Sequence, residues 1–156
     1  MRVCSTSPES RRLNSMQDRF DLQRFVQAQQ PVYERVLAEL QAGRKQSHWM
    51  WFVFPQLRGL GFSLMARKYA IRGRDEALAY LQHELLGERL RECTRLVLQI
   101  EGHSVQEIFG YPDDLKFRSC MTLFAAVAEN TDLFNLALEK YYAGRADQET
   151  LQLLAQ

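Results

Sequence analysis

From residue 18 to the end of the chain, apolar side chains recur at helical spacing, broken by capping residues and glycines. Leu22, Phe25 and Val26 share one face of a first short helix, for which Asp21 is the expected N-cap. Pro31 suits the first turn of a second helix, with Tyr33, Val36, Leu37 and Leu40 on its apolar face and Gly43 as its stop. Ser63 is expected to cap a helix carrying Leu64, Arg67 and Lys68. Another is predicted from Asp75 to Gln82, with Ala77, Leu78 and Leu81 inward. A longer helix follows, with Leu86, Leu90, Val97 and Ile100 apolar and Glu88, Arg91 and Arg95 outward. Ser104 caps a short turn that ends at Gly110. Asp113 or Asp114 caps a helix through Phe117, Met121, Leu123, Phe124 and Val127, and two last helices begin near Asp132 and Asp147. No stretch alternates apolar and polar like a half-buried strand. The pattern predicts an all-α fold, a single compact multi-helix domain of about seven to eight helices.

One segment has no readable period. HWMWFVFPQ, residues 48 to 56, holds both tryptophans and is apolar at every position from Trp49 to Phe54. A helix there would be buried all round and a strand buried on both faces. Its helical neighbours favour helix. Trp49, Phe52 and Val53 are assigned to the core, while His48, Trp51 and Gln56 are set aside as candidates for a ligand.

Composition narrows the classes. The 156 residues suffice for one domain able to bury about 70% of its unfolded surface. Residues 1 to 17 are polar and Ser- and Arg-rich, and are expected to be a disordered tail ahead of a domain spanning 18 to 156; Met16 is a second candidate start. Twenty Lys and Arg against nineteen Asp and Glu leave +1, which offers no bulk field to recruit nucleic acid. Cys4, Cys93 and Cys120 are an odd number without CxxC spacing, so no disulfide framework or metal knuckle is expected. The N-terminus has no apolar h-region, and no apolar run approaches the ~18 residues of a membrane span. A cytoplasmic location without membrane association is the expectation.

In order along the chain, HWMWFVFPQLRGLGFSLMARKYAI, EALAYLQHELLGERL, IFGYPDDLKFRSCMTLF and ALEKYYAGRADQETLQLL resemble a bacterial family known as DUF1810. The likeness covers about residues 20 to 155. It implies a predominantly helical fold and carries over no biochemical activity. The family usually shows proline at the position of Glu84 and often serine at that of Cys120, which argues against a nucleophilic role for this thiol. Members are sometimes labelled calpastatin, a repetitive and mostly disordered inhibitor. Four prolines, a 46% hydrophobic content and no repeats exclude that description here.

Three constellations could carry chemistry. His48, Trp51 and Gln56 combine polar ends with an indole face suited to a planar ring. In LRGLGFS, Gly59 and Gly61 allow close backbone approach. Ser63 opens a helix whose free N–H groups favour an anion, though neither a P-loop nor a GxGxxG pattern is present. In YPDDLKFRS, Asp114 is the candidate general base or acceptor for a ligand ribose, and Lys116 or Arg118 the candidate to hold negative charge, with Arg118 set down as ligand-binding. Tyr141 or Tyr142 could rim such a pocket. No metal site is expected from His48, His83 and His103, which are scattered, and no cofactor can be named. The favoured reading is a small-molecule-binding protein or enzyme acting on a nucleotide or ADP-ribose-like phosphorylated ligand. The alternative is a non-catalytic interaction or scaffold domain, a homodimer included. A stripe from Arg44 and Lys45 through Arg58, Arg67, Lys68, Arg72 and Arg74 makes nucleic acid a third reading, the least expected.

Overall fold

The computed structural model describes residues 19–130 and 132–156. Among these residues there are ten helices and no strand: α1 (Gln23–Gln29), α2 (Tyr33–Gln41), α3 (Met50–Val53), α4 (Leu64–Lys68), α5 (Arg74–Gln82), α6 (Leu86–Gln99), α7 (Val105–Phe109), α8 (Asp113–Val127), α9 (Asp132–Tyr142) and α10 (Gln148–Leu154). The count exceeds the seven to eight expected because short turns such as α3 and α4 are separate helices. The predicted tail, with Cys4 and Met16, lies outside the described residues.

Helix α8 is the axis of the fold. Phe117, Cys120, Met121, Leu123 and Phe124 are fully buried, and α5, α7, α9 and α10 all pack against it. Its polar residues are accommodated locally: the buried Ser119 and Thr122 hydroxyls donate to the Leu115 and Arg118 carbonyls at 3.2 and 2.8 Å. Helix α6 bridges α2, α5 and α9, burying Leu86, Leu90, Cys93 and Val97 along one stripe. At Gly87 it lies so close to the end of α5 that an added Cβ would stand 2.0 Å from the Leu81 carbonyl oxygen.

The aperiodic run 48–54 is helical at Met50–Val53, and Trp49, Phe52 and Val53 are buried as assigned. Phe54 meets the rings of Phe109 and Phe117 edge-on, with centroids 5.9 and 5.0 Å away. Burying an indole requires a partner for its N–H. Glu39 supplies it: its Oε1 accepts from Trp49 Nε1 at 2.9 Å and from the backbone N–H groups of Gln46 and Ser47 at 2.7 and 3.0 Å. Its Oε2 accepts from Ser47 Oγ at 2.5 Å. Burial alone would raise the pKa of this carboxyl. The four hydrogen bonds outweigh burial and lower it from 4.5 to about 2. Gln29, also buried, donates to the Phe52 carbonyl at 2.7 Å and to Tyr80 Oη at 3.1 Å.

Local caps hold where the sequence placed them at Ser63, Ser104 and Asp147, and Ser104 forms a full capping box with Glu107. Three expectations need correction. Asp21 caps nothing: it sits at φ 51, and α1 begins at Gln23 behind Leu22. Asp113 and Asp114 lie inside the first turn of α8 rather than at its cap: Pro112 takes the N-cap position, its carbonyl accepts from Lys116 N, and the Asp113 carboxylate is paired with Lys45 Nζ at 2.8 Å. Leu78 points outward, while Glu76 and Tyr80 face the core with Ala77 and Leu81. Among the described residues, no helix is long and apolar enough to cross a membrane.

Candidate functional site

The segment from Pro55 to Arg72 leaves the helical pattern and folds back on itself. Its two ends are pinned by one parallel bridge between Leu57 and Ile71, where Arg58 N donates to Ile71 O at 2.7 Å and Ile71 N to Gln56 O at 3.0 Å. Between these ends, Gly59 has φ 103, a left-handed conformation that favours glycine. Gly61 is required for space: a Cβ there would lie 2.8 Å from that of Ala66 and 3.2 Å from Gln56 Nε2. Ser63 Oγ then accepts from Ala66 N at 3.1 Å and starts α4.

Arg24 fixes the base of this loop. Its Nε donates to Lys68 O at 2.8 Å, Nη1 to Phe20 O and Asp21 O at 2.5 and 2.8 Å, and Nη2 to Ala70 O and Glu76 Oε2 at 2.9 and 2.8 Å. All five guanidinium N–H groups are thereby used. Glu76, fully buried, offers its other oxygen to Arg72 N at 3.0 Å and Arg72 Nε at 3.2 Å. A buried carboxylate is tolerable here because it is paired with two guanidinium groups.

Two open clefts flank the loop and share Gly61 and Phe62 as their common wall. The larger, about 720 Å3, is lined by Arg58, Arg67, Lys68 and Arg72 above the occupied Arg24, with Asp21 as its carboxylate. Neither the Arg58 nor the Arg67 side chain takes part in a hydrogen bond or ion pair among the described residues. The smaller, about 430 Å3, lies between the loop and α8 and includes Gln56, Ser63, Lys116, Arg118, Ser119 and Asp147.

The structure thus brings together five of the nine candidate residues, Gln56, Gly61, Ser63, Lys116 and Arg118, in the smaller cleft, and puts Gly59 in the larger. Trp51 lines neither; it is half-buried beneath Lys116, whose Nζ is 5.3 Å from its ring centroid. His48 is exposed and outside both clefts. Asp114 also lies off the lining. Its Oδ1 is buried without a hydrogen-bond partner, and its backbone carbonyl accepts from Tyr142 Oη. Arg118 spends Nε on Arg145 O at 2.7 Å and Nη2 on Ala146 O at 3.2 Å, so much of its capacity holds the turn before α10. Tyr141 likewise lines neither cleft and donates to Val97 O at 2.6 Å.

Sequence reasoning missed Phe62, Ser119 and Asp147 as cleft residues. Asp147 was legible as a cap; that its Oδ2 also stands 3.3 Å from Ser119 Oγ depends on tertiary packing. Among the described residues, no group of three His, Cys, Asp or Glu side chains is placed to hold a metal ion. Cys93 and Cys120 are fully buried, and burial pushes the Cys93 thiol up to about 12 and Cys120 well above its usual range. Neither is a nucleophile.

An all-helical domain with two open clefts around an irregular loop, the larger of them basic, is the class these observations define. The chain belongs to the protein family of unknown function DUF1810, whose pattern it matches over residues 19–154. It is similar to a conserved hypothetical protein, Rv1873 from Mycobacterium tuberculosis, known from a crystal structure. The two are 60% identical and superpose with a TM-score of 0.87 over 88% of this chain and 98% of that one. Among curated proteins, none matches this chain.

Proposed function

We propose that the chain binds a phosphorylated small molecule, nucleotide- or ADP-ribose-like, across the Gly59–Ser63 loop. The observation that supports this reading is the larger cleft, where Arg58, Arg67, Lys68 and Arg72 face a single carboxylate, Asp21. Arginine forks suit phosphate oxygens because they can donate two parallel charge-assisted hydrogen bonds. Arg58 and Arg67, free of internal partners, have those donors to spare. On the other side of Phe62, Gln56, Ser63 and Lys116 provide polar groups for a sugar or base edge. Clefts of this volume suit ligands of nucleotide size. The proposal is one of binding. Asp114 is not part of it, since its carboxylate is off the cleft lining, whereas Lys116 remains a candidate for holding negative charge.

A thermal-shift panel of NAD, ADP-ribose, nucleotides and sugar phosphates tests it. A ligand at 100 times its Kd stabilises by about 2.7 kcal/mol, or roughly 5–10 °C for a domain of this size. The shift should vanish in Arg58→Ala/Arg67→Ala, which removes two exposed side chains and no hydrogen bond or ion pair among the described residues. A flat panel, or a shift unchanged in that variant, refutes the proposal.

A second reading is an interaction or homodimerising domain. It is favoured by the exposure of Phe62 (73%) and Leu64 (86%) on the same loop and helix start. Sedimentation over a wide concentration range tests it. A dimer lost in Phe62→Ala/Leu64→Ala supports it, and a monomer throughout removes the homodimer.

A further inference from the structure

The overall charge of +1 hides a segregation. From Arg58 to Arg74 the chain carries five cations and no carboxylate, so the remainder of the molecule is net acidic. The fold keeps these charges together. The larger cleft continues, through shared Arg58, Gly59 and Arg72, into a third of about 640 Å3 that reaches Phe20 and Arg74. In the other direction it continues, through shared Gly61 and Phe62, to Lys116. The outcome is an open trough, crossed at Gly61 and Phe62, whose central part is rich in cations and whose two ends set Asp75 beside Arg74, and Asp147 and Glu149 beside Lys116. Arg44 and Lys45 are not part of it; they line a separate cleft beside His103.

We infer that this trough binds single-stranded polynucleotide, with the backbone along the cations and a base stacked on Phe62. The inference rests on the phosphate-binding reading above and extends its ligand from one nucleotide to a strand. Three observations carry it. The cations run past the length of the central cleft, from Lys116 at one end to Arg74 at the other, more than one phosphate group would engage. The aromatic ring is 73% exposed on the wall between two clefts rather than recessed, as a stacking platform for a strand must be. Finally, the free cations stand on a support that needs no ligand, since Arg24 and Glu76 are already satisfied inside the chain. A duplex is disfavoured because the trough is concave, walled by the loop, α4 and the flanks of α5, α8 and α10, and offers no projecting helix to enter a groove. A concave surface likewise fits a strand better than a bilayer.

The experiment is fluorescence anisotropy with labelled oligo-U and oligo-dT of one to about twelve nucleotides, at several salt concentrations. Expected is an affinity that climbs at least tenfold from the mononucleotide and then levels off. For about four neutralised phosphates, the slope of log K against log salt should be about −3. Arg58→Ala/Arg67→Ala should bring that slope towards about −1.5, whereas Phe62→Ala should weaken binding about tenfold with the slope unchanged. Arg35→Ala, an exposed residue outside the trough, should do neither. A preference for oligo-U over oligo-dT would show that the 2′-hydroxyl is read, and equal binding would assign the site to either strand type; both support the inference. Mononucleotides binding as tightly as the longest strand would overturn it and leave the small-molecule reading intact. No binding of either would remove both. Binding only to phosphatidylserine-containing vesicles would replace a strand by a membrane surface, with Leu64 as the inserted group.

Discussion

The strongest test of the fold's internal logic is Glu39→Gln. The wild-type carboxylate serves two backbone N–H groups, a hydroxyl and the Trp49 indole, so the long turn after α2 and the aromatic core are held by one charge. Hydrogen bonds have lowered its pKa from 4.5 to about 2, and each pH unit of displacement is worth about 1.36 kcal/mol. At neutral pH the ionised form therefore contributes about 3 kcal/mol. Because the folded pKa is the lower one, this stability is complete above the unfolded value and is lost as pH falls through 4.5 towards 2. At about pH 3.5 roughly 1.4 kcal/mol of it should be gone. The assay is urea unfolding of wild type and Glu39→Gln at pH 7 and at about pH 3.5, followed by tryptophan fluorescence. The variant should be less stable by about 2–3 kcal/mol at pH 7, and the gap should narrow by about 1.4 kcal/mol at the lower pH. A gap that stays constant would show that the charge of Glu39 does not hold the turn.

Other outcomes follow from single contacts. Gly87→Ala should cost at least about 3 kcal/mol, since the 2.0 Å approach is to a backbone carbonyl that cannot swing aside, and a fall in Tm would register it. Arg24→Lys should cost about 2–4 kcal/mol in urea unfolding, because three ammonium donors cannot replace five in a planar fork. His83 Nδ1 accepts from Leu85 N and Leu86 N at 3.1 and 3.2 Å, and burial lowers its pKa below 6.5, opposed by Glu84. The unfolded chain thus takes the proton first, so stability should decline as pH falls through 6.5, and His83→Gln should flatten that part of the pH profile. In a Cys4→Ser variant, Cys93 and Cys120 should react with a thiol reagent only at the rate of unfolding, because both are buried with raised pKa values.

What could be read from the sequence depended on how local the cause was. Ser63, Ser104 and Asp147 reach a backbone N–H within three residues, so the pattern alone located these helix starts. Asp21 looks the same in sequence. Its carbonyl, however, accepts from an Arg24 whose other donors reach residues 68, 70 and 76, and the local turn yields to that clamp. Asp113 likewise answers to Lys45, 68 positions away. Leu78 was misplaced because two adjacent hydrophobes straddle the edge of a helical face, and which of them turns inward is settled by the partner helix. The candidate clefts show the same division. Gly61 and Ser63 were legible from loop chemistry, and Lys116 from its neighbours. That Lys116 and Arg118 stand opposite Gln56 depends on where α8 packs, which no nearby residue encodes.

The five-donor guanidinium of Arg24 has an evolutionary consequence. It ties the closing end of an 18-residue irregular segment to the body of the protein from beneath, through the Lys68 and Ala70 carbonyls that any side chain would present, while the Leu57–Ile71 bridge holds the other end to it. The rim above it is released from structural duty: Arg58, Arg67 and Phe62 can be exchanged without the folding penalty that accompanies most changes around a binding surface. Related chains could therefore diversify what this rim recognises while drawing on the same anchored scaffold, and selection on recognition would be nearly uncoupled from selection on stability.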